Sequence, residues 1–284
     1  MKRIINILIA KSLGLYINSL SYLYPDKAIK LAYKFFSEPR DGRLKIQLIP
    51  SLLKEASQEF LTLDSHQFPV YIWKGNETKI LLVHGWESNS ARWESFLPYL
   101  QKSGSTIIAL DGPAHGLANG KEFSVPIYAQ FLNVVVQKFK PNYLIGHSIG
   151  GSACLYYQAN YQNESITKMV LLGAPSDLEI LLRNYAAILS LNKRIIQLFE
   201  NFYWEHFKIK VKEFSGRQLG SKLKINGLIV HDTEDNVVSI KEAKKIAQGW
   251  KKAQFIETKG LGHSMHDDKL YQKIYNFLFE STNF

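Results

Sequence analysis

The spacing of hydrophobic residues changes its character at about residue 69. Beyond that point, short apolar runs alternate with stretches whose apolar residues recur every three or four positions. The short runs predict strands, and the stretches between them predict helices that cover both faces of a parallel sheet. We therefore predict an α/β fold with a doubly wound, mostly parallel sheet, which binds ligands at the carboxyl ends of its strands. The predicted strands are 70–73, 80–84, 106–111, 143–146, 169–173, 228–231 and 254–257. The predicted helices are 91–102, 125–139, 149–160, 240–250 and 268–279.

The first 24 residues have a helical pattern of their own. Their apolar side chains recur at three- and four-residue spacing, and Asn6 and Lys11 interrupt the run. The run is too short for a membrane span of about 20 apolar residues, and no small-residue cleavage site follows it. It predicts an amphipathic helix that packs on its own domain, which we prefer, or lies on a membrane surface. The apolar residues are Ile5, Leu8, Ile9, Leu13, Tyr16, Ile17, Leu20 and Leu23.

Residues 177–222 interrupt the alternation of strands and helices. They contain no clear strand, and the part over 178–207 is mostly helical. We predict that this stretch forms a cap, inserted at about 176–222 above the carboxyl edge of the sheet. The predicted organisation is an N-terminal helical extension over 1–65, followed by an α/β domain over 66–284 that contains the cap.

Composition and charge exclude several classes of protein. The 284 residues are 46% hydrophobic, which excludes intrinsic disorder. The single cysteine, Cys154, excludes an internal disulfide and any multi-cysteine metal site. The formal charge of +10 is concentrated in residues 1–45 and 193–224, and such surfaces favour anionic lipids, nucleic acid or acidic substrates. We prefer two solvated lysine-rich faces, because neither region has the pattern of a nucleic-acid module.

Partners and location follow from the same features. We expect no nucleic-acid partner, no metal and no cofactor, because the sequence has neither zinc-ligand spacing nor a phosphate-binding glycine loop. The free cysteine and the missing cleavage site favour the cytoplasm, with peripheral membrane contact through the N-terminal helix as the alternative. The sequence does not indicate an oligomeric state.

The sharpest chemical motif is the segment Gly146-His147-Ser148-Ile149-Gly150, where a predicted strand runs into a predicted helix. This is the G-x-S-x-G pattern of a nucleophile elbow. Glycines two residues before and after the serine let the strand and the helix pack closely around a tight turn. The turn exposes the serine hydroxyl at a helix N-terminus, where developing negative charge is favoured. We predict that Ser148 is a nucleophile.

A serine hydroxyl needs a base, and the base needs a group that orients it. In this motif class the acid and then the histidine follow the serine along the chain. Asp235 is the preferred acid after the strand at 228–231, with Asp232 and Glu234 as alternatives. The preferred base is His263, which follows the last predicted strand in a glycine-flanked loop. The lesser candidate for the base is His266.

The loop after the strand at 80–84 predicts an oxyanion hole. We expect the backbone N–H groups of Trp86 and Ile149 to stabilise a tetrahedral intermediate. We also place His84, Gly85 and His147 beside the substrate, and for the His84 side chain we expect a hydrogen bond that fixes the loop.

Two further groups have a structural interpretation that we prefer. Asp111 and His115 close another strand and are more readily read as a pair that shapes the loop than as a catalytic dyad. Cys154 follows the elbow in a predicted helix, where a free thiol is normally buried filler.

Five motifs together resemble the α/β-hydrolase superfamily, and they follow one another in that family's order over residues 69–281. The resemblance implies a triad of Ser148, His263 and Asp235, backbone oxyanion donors and a cap domain. The 65 residues before the first predicted strand lie outside the common core of the family. The motifs are GHSIGG, VHGW, DGPAHG, HDTEDNVV and GLGH.

These features predict a serine hydrolase that cleaves a carboxylic ester or thioester of a small-molecule substrate through an acyl-enzyme on Ser148. An acyltransferase or thioesterase acting on lipid or coenzyme A esters is the alternative that the basic cap and the amphipathic N-terminus suggest. A carbon–carbon bond hydrolase would use the same triad. A non-catalytic binding member of the fold is disfavoured by the intact serine, acid and histidine.

Overall fold

The computed structural model describes residues 2–280, so residues 281–284 of the predicted α/β domain lie outside the described part. The chain forms two compact units. The smaller one, here the helical unit, comprises Met1–Glu38 and Asp177–Ser215, and the larger one, the sheet unit, comprises Pro39–Ser176 and Gly216–Phe284. Among residues 2–280, no helix combines the length and the hydrophobicity needed to cross a membrane.

The sheet unit contains a sheet of eight strands within the described residues, in the order β1-β2-β4-β3-β5-β6-β7-β8. β2 pairs antiparallel with β1 and β4, and every other neighbouring pair is parallel. The predicted doubly wound, mostly parallel sheet is therefore confirmed. The strands are β1 Ser57–Leu63, β2 His66–Trp73, β3 Asn76–Val83, β4 Ser105–Leu110, β5 Tyr143–His147, β6 Lys168–Leu172, β7 Asn226–Asp232 and β8 Ala253–Thr258.

Helices cover the sheet as its apolar strands require. Side chains on one face of the sheet form a hydrophobic cluster with side chains of α4 and α11. The helices α5, α6 and α10 also contact strands of the sheet, but none of their side chains belongs to that cluster. The predicted helix at 91–102 is shorter than expected, because a 3-10 turn over Ser90–Trp93 precedes α4. The helices of this unit are α3 Ser51–Glu55, α4 Leu97–Gln101, α5 Val125–Phe139, α6 Ile149–Tyr161, α9 Gly216–Ser221, α10 Ile240–Gly249 and α11 Asp268–Phe279.

The helical unit is built from two separate parts of the chain. α1 (Lys2–Leu23) and α2 (Pro25–Ser37) pack with α7 (Leu178–Leu189) and α8 (Lys193–Phe207). An aromatic cluster joins α2 to the later helices, and Tyr33 and Phe202 have their ring centroids 4.3 Å apart. The N-terminal segment and the insertion therefore share one set of packing contacts.

These units do not follow the expected domain boundaries. Residues 39–65, expected in the N-terminal extension, lie in the sheet unit, because β1 pairs along its whole length with β2. Residues 216–222, expected in the cap, also lie in the sheet unit, where α9 packs on α10.

α1 contacts the rest of the helical unit through a narrow face. A Cβ atom on Gly14 would lie 1.6 Å from the carbonyl oxygen of Leu189, so only glycine permits this approach of α1 to the end of α7. Asn18 donates from Nδ2 to the Ser190 carbonyl at 2.8 Å and accepts the Asn192 N–H at 2.9 Å. Of the residues assigned to the apolar face of this helix, only Ile17 is fully buried.

That observation corrects the preferred interpretation of the N-terminal pattern. The helix does pack on its own unit, but five of the eight apolar residues that define the pattern remain exposed. The reason is that the contact with α7 is made by Gly14 and polar side chains on the other side of the helix. The exposed residues of the pattern are Ile5, Leu8, Ile9, Tyr16 and Leu23.

β7, the strand that precedes the loop with Asp235, packs closely against the residue that follows α10. Trp250 is fully buried, and its Nε1–H donates to the Ile225 carbonyl at 3.0 Å. A Cβ atom on Gly227 would lie 2.3 Å from the Trp250 indole. The glycine at this position in β7 is therefore required by the ring that covers it.

We expect Gly227→Ala to lower the free energy of unfolding by about 1–3 kcal/mol, because an extra methyl group in a filled core forces side chains or backbone to shift. Urea unfolding monitored by circular dichroism measures the loss. In a Trp250→Leu background the smaller side chain leaves room for the methyl group, so the additional loss from Gly227→Ala should shrink. Equal losses in the two backgrounds would contradict this explanation.

Candidate active site

Ser148 stands at a sharp turn between β5 and α6. Its φ of 53° lies in the left-handed region that non-glycine residues rarely adopt, and its N–H donates to the Leu172 carbonyl on β6 at 2.8 Å. Strain of this kind persists only where the surroundings enforce it, and it is common at functional sites. The turn places the serine directly before the first residue of α6.

The two glycines of the elbow are required by close contacts between backbones. A Cβ atom on Gly150 would lie 2.2 Å from the His84 carbonyl oxygen, and one on Gly146 would lie 2.6 Å from the Gly151 Cα. α6 therefore approaches β3 and β5 more closely than any side chain would allow. The steric reason given for the motif spacing holds in the structure.

The histidine predicted as the base lies next to this serine. The Nε2 atom of His263 is 2.9 Å from the Ser148 Oγ, and its Nδ1 is 2.7 Å from the Asp235 Oδ2. The three side chains come from loops after β5, β7 and β8, which end at the same edge of the sheet. The arrangement suits an Nδ1–H that donates to the carboxylate and an Nε2 that accepts the serine hydroxyl proton.

The carboxylate of Asp235 has no exposed surface and is surrounded by donors. Its Oδ1 accepts the N–H groups of Val237 at 2.8 Å and Val238 at 2.9 Å, and its Oδ2 lies 3.4 Å from the Nε2 of His231. Burial alone would raise the pKa of this carboxyl group, but the hydrogen bonds from His231, His263 and the two backbone groups hold it far below its usual value. Asp235 is therefore ionised at neutral pH.

The other two acids of this loop have different surroundings. Asp232 is fully buried, and its Oδ2 accepts the Thr258 hydroxyl at 2.8 Å and the Leu261 N–H at 3.0 Å. It therefore ties the end of β7 to the loop that carries His263. Glu234 is exposed and its Oε1 lies 4.0 Å from the Nζ of Lys259. Of the three acids, the structure brings only Asp235 to the histidine.

Two more side chains hold the histidine loop from the other side. His147 Nε2–H donates to the His263 carbonyl at 2.8 Å, and burial holds the pKa of His147 well below its usual value, so the ring is neutral. Arg92 donates from Nη2 to the Ser264 carbonyl at 3.1 Å, and its guanidinium lies 5.0 Å from the ring centroid of Trp93. Burial lowers the pKa of Arg92 to about 10, so it stays charged at neutral pH.

The residues predicted to form the oxyanion hole flank the serine. Ile149 is the first residue of α6, a position whose N–H has no acceptor within its own helix. Trp86 follows Gly85, where a Cβ atom would lie 2.8 Å from the Ser148 Cβ. The N–H groups of Trp86 and Ile149 therefore belong to two backbone segments that adjoin the nucleophile.

His84 and His147 were both expected beside the substrate, and the structure gives their side chains other contacts. His84 has no exposed surface, its Nδ1–H donates to the Gly85 carbonyl at 2.8 Å, and its Nε2 accepts the Gly112 N–H at 2.8 Å. This fits the expected loop-fixing hydrogen bond and leaves the His84 ring no polar atom for a substrate. Burial lowers its pKa to about 4, so the ring is neutral. The Nε2–H of His147 is likewise used within the protein, since it donates to the His263 carbonyl.

Asp111 and His115 shape a loop, as preferred from the sequence. The Asp111 carboxylate accepts the backbone and hydroxyl donors of Ser90, the Leu117 N–H and the Tyr71 hydroxyl. The Nε2 of His115 accepts the Glu87 N–H at 2.9 Å. These contacts connect the loop after β3, which contains Trp86, to the loop after β4.

The remaining candidates lie away from the nucleophile. The Nδ1 of His266 is hydrogen-bonded to the Tyr271 hydroxyl rather than to Ser148. Cys154 is fully buried within α6, and burial raises the pKa of its thiol. Within residues 2–280, no three histidine, cysteine, aspartate or glutamate side chains gather in a way that could hold a metal ion.

Three of these residues have supporting roles that were not predicted from the sequence. Asp232 was considered only as a rival to Asp235, and neither His231 nor Arg92 was considered at all. His231 and Asp232 lie four and three residues before Asp235 in a short polar run, which is the one local signal that could have suggested that they support the loop carrying the acid. Arg92 is far from the triad along the chain, and only the folded structure shows its contact with Ser264.

Comparison with known sequences agrees with this architecture. Residues 78–196 match a family described by the alpha/beta hydrolase fold. A bifunctional esterase/perhydrolase of Acinetobacter calcoaceticus is 30% identical over 99 residues, which are 34% of this chain and 36% of that protein. That match therefore spans about a third of the relative's length. An AB hydrolase superfamily protein of Bacillus subtilis is 21% identical over 251 residues, covering 74% of this chain and 93% of that protein.

Solved structures are similar over most of the chain. A meta-cleavage product hydrolase from Pseudomonas fluorescens has a TM-score of 0.60 at 16% identity, with 79% of this chain and 98% of that chain covered. A crystal structure described as a putative lipase from Acinetobacter baumannii has a TM-score of 0.62 at 17% identity, covering 80% and 92%. The sheet order, the strained serine at the elbow and these similarities agree with one another. The chain has the α/β-hydrolase fold, and its residues 78–196 match the family described by that fold.

Proposed function

We propose that the protein is a serine hydrolase that cleaves a carboxylic ester or thioester of a small-molecule substrate through an acyl-enzyme on Ser148. The observation that carries this proposal is the continuous chain of contacts from Ser148 Oγ through His263 to Asp235, at 2.9 Å and 2.7 Å. Nucleophile, base and orienting acid are thus within hydrogen-bonding distance in one site. The reaction needs no cofactor.

Acylation begins when the Ser148 Oγ attacks the carbonyl carbon and its proton passes to the Nε2 of His263. The negative charge moves to the carbonyl oxygen, where the N–H groups of Trp86 and Ile149 stabilise it. Asp235, which is ionised, holds the imidazole in place and stabilises its cation. Collapse of the tetrahedral intermediate breaks the bond to the alkoxide or thiolate leaving group, which takes the proton from His263.

Deacylation repeats these steps with water as the nucleophile. His263 removes a proton from the water as it attacks the acyl carbon, and the same N–H groups stabilise the second oxyanion. Ser148 then leaves as the hydroxyl, with the proton returned from His263, and the carboxylic acid is released.

The similar proteins support ester cleavage as the first reaction to test. One relative is described as an esterase/perhydrolase, and two structures with the same fold are described as a putative lipase and as an esterase. Acyl transfer and carbon–carbon bond hydrolysis would use the same three side chains with a different acceptor or bond. A substrate panel should therefore include alcohol acceptors, thioesters and ring-cleavage products beside simple esters.

We expect Ser148→Ala to abolish labelling by a fluorophosphonate probe and to lower kcat for short acyl esters on the order of 10⁴-fold or more, because the covalent step is lost. Ser264→Ala is the matched control. This serine is exposed, adjoins His263 and is expected to leave labelling and turnover unchanged. Gel fluorescence and initial rates are the measurements. Full labelling of the folded Ser148→Ala protein would refute the assignment.

We expect Asp235→Asn to lower kcat on the order of 10⁴-fold, because the amide does not stabilise the histidine cation. Glu234→Gln is the neighbouring control and should retain the wild-type rate, since Glu234 is exposed and its nearest described cation is on Lys259. Equal losses in the two variants would contradict this assignment.

A further expectation concerns stability. The fold holds the pKa of Asp235 below the unfolded value of about 3.9, so the ionised carboxylate stabilises the protein above that pH and loses this contribution as the pH falls. The difference in unfolding free energy between the wild type and Asp235→Asn should therefore narrow below about pH 4. Urea unfolding at several pH values measures it, and a difference that does not change with pH would argue against the depressed pKa.

A further inference from the structure

α1 presents hydrophobic side chains to solvent along most of its length. Relative exposure reaches 61% at Leu8, 62% at Ile9, 68% at Leu15 and 74% at Leu23. Soluble proteins seldom leave a contiguous row of aliphatic side chains in water, and such rows mark surfaces that bind another body. The row is defined here as the exposed stripe, which consists of Ile5, Leu8, Ile9, Leu15, Tyr16, Tyr22 and Leu23.

The exposed stripe lies on the side of α1 opposite its packed face. With 3.6 residues per turn, its residues succeed one another at three- and four-residue intervals, and Ser12 and Ser19 fill the remaining positions. Gly14, Ile17 and Ser21 lie on the other side, where the helix meets α7 and α8. The stripe therefore contributes little to the packing of its own unit.

The charged residues of α1 itself all have one sign. α1 contains no acidic residue. Lys11, a cation within the helix, is turned toward the packed side, where its Nζ donates to the Ala187 carbonyl at 2.9 Å and to the Ser190 hydroxyl at 2.7 Å. The exposed stripe therefore contains no charged side chain between Leu8 and Leu23.

Cations and tyrosines meet at the C-terminal end of the stripe. The guanidinium of Arg194 lies 5.4 Å from the Tyr22 ring centroid, and the Nζ of Lys27 lies 4.9 Å from that of Tyr24. Lys193 is exposed beside Arg194. Tyrosine rings with adjacent lysine or arginine side chains suit the boundary between hydrocarbon and headgroups, where an apolar body and a polar tip are both satisfied.

The charge of the helical unit distinguishes between two bodies that could cover this surface, a second copy of the chain and an anionic membrane. Its 77 residues include twelve basic and seven acidic side chains. A second copy of the chain would bring the same positive charge against the stripe, whereas anionic headgroups would neutralise it. We propose that the exposed stripe of α1 lies in the surface of an anionic phospholipid bilayer, parallel to the membrane plane, with Lys27, Lys193 and Arg194 at the headgroups.

An orientation parallel to the membrane accounts for both faces of α1, the packed one and the exposed stripe. A helix bound in the interface inserts one apolar face to the depth of the headgroup and acyl boundary, and its other face stays with the protein. The stripe provides the apolar area, and the cations add attraction that falls with ionic strength. This proposal does not depend on the chemistry of the serine site.

Vesicle flotation of the full chain tests the proposal. We expect binding to vesicles of phosphatidylcholine mixed with phosphatidylglycerol, weaker binding to phosphatidylcholine alone, and release as ionic strength rises. Substitution of Leu8, Ile9 and Leu15 by glutamine should weaken partitioning on the order of 100-fold, because three aliphatic insertions are lost. The matched control replaces Ile46 and Leu48 by glutamine, since these residues are 74% and 69% exposed but belong to the sheet unit.

The contribution of the cations is tested separately. Lys27→Gln combined with Lys193→Gln should reduce binding to anionic vesicles and leave binding to phosphatidylcholine unchanged. Both side chains are exposed, so circular dichroism should be unaltered. Equal binding of this variant and the wild type to anionic vesicles would overturn the assignment of these cations to the headgroups.

A fluorescent label measures insertion at one residue. Cys154 is fully buried and burial raises the pKa of its thiol, so a thiol-reactive, environment-sensitive dye should select a cysteine introduced by Leu15→Cys. Emission should shift to the blue on anionic vesicles, whereas a label at Ile46→Cys should not respond. The proposal is overturned if the wild type fails to float, or if the glutamine variant instead loses self-association measured by sedimentation without lipid.

Discussion

The backbone contact between the start of α6 and the end of β3 is the constraint on which the site depends. A Cβ atom at Gly150 would lie 2.2 Å from the His84 carbonyl oxygen, so the helix can begin where it does only because this position lacks a side chain. That approach forces Ser148 to a φ of 53° and presents its hydroxyl at the carboxyl edge of the sheet. The strain is stored locally and is balanced by the pairing of β5 between β3 and β6.

The base is oriented by contacts that reach its loop from three directions. Asp235 accepts from the imidazole, Asp232 accepts the Leu261 N–H, and His147 donates to the carbonyl of His263 itself. The side chains of Asp235 and Asp232 have no exposed surface and His147 is almost fully buried, so their hydrogen bonds act in a medium of low polarity, where each is stronger. The loop is flanked by glycines, yet its active side chain is held in a single orientation by these bonds.

The sequence predicted those parts of the site that depend on local spacing. The elbow could be predicted because the steric demand of a tight turn falls on residues two positions away from Ser148. Seven of the eight strands could be predicted because short β-rich runs alternate with helical ones, and several of these runs are apolar without alternation. β1 was not predicted because one face of an edge strand is solvated, so its apolar content is low. The supporting roles of Asp232 and Arg92 depend on partners that lie 29 and 172 residues away, and no spacing rule reaches across such separations.

The N-terminal helix shows how an amphipathic pattern can be interpreted on the wrong face. Periodicity gives the direction of an apolar stripe but not the body that covers it, and a helix can pack through a glycine and a few polar side chains instead. In α1 the packed face is defined by Gly14 and Asn18, whose contacts with α7 and the turn after it would be invisible to any measure of hydrophobicity. One side of α1 therefore packs within the helical unit, and the opposite side determines the properties of the surface. Because the exposed leucines contribute little to packing within the chain, their replacement should alter what the surface binds without altering how the unit folds.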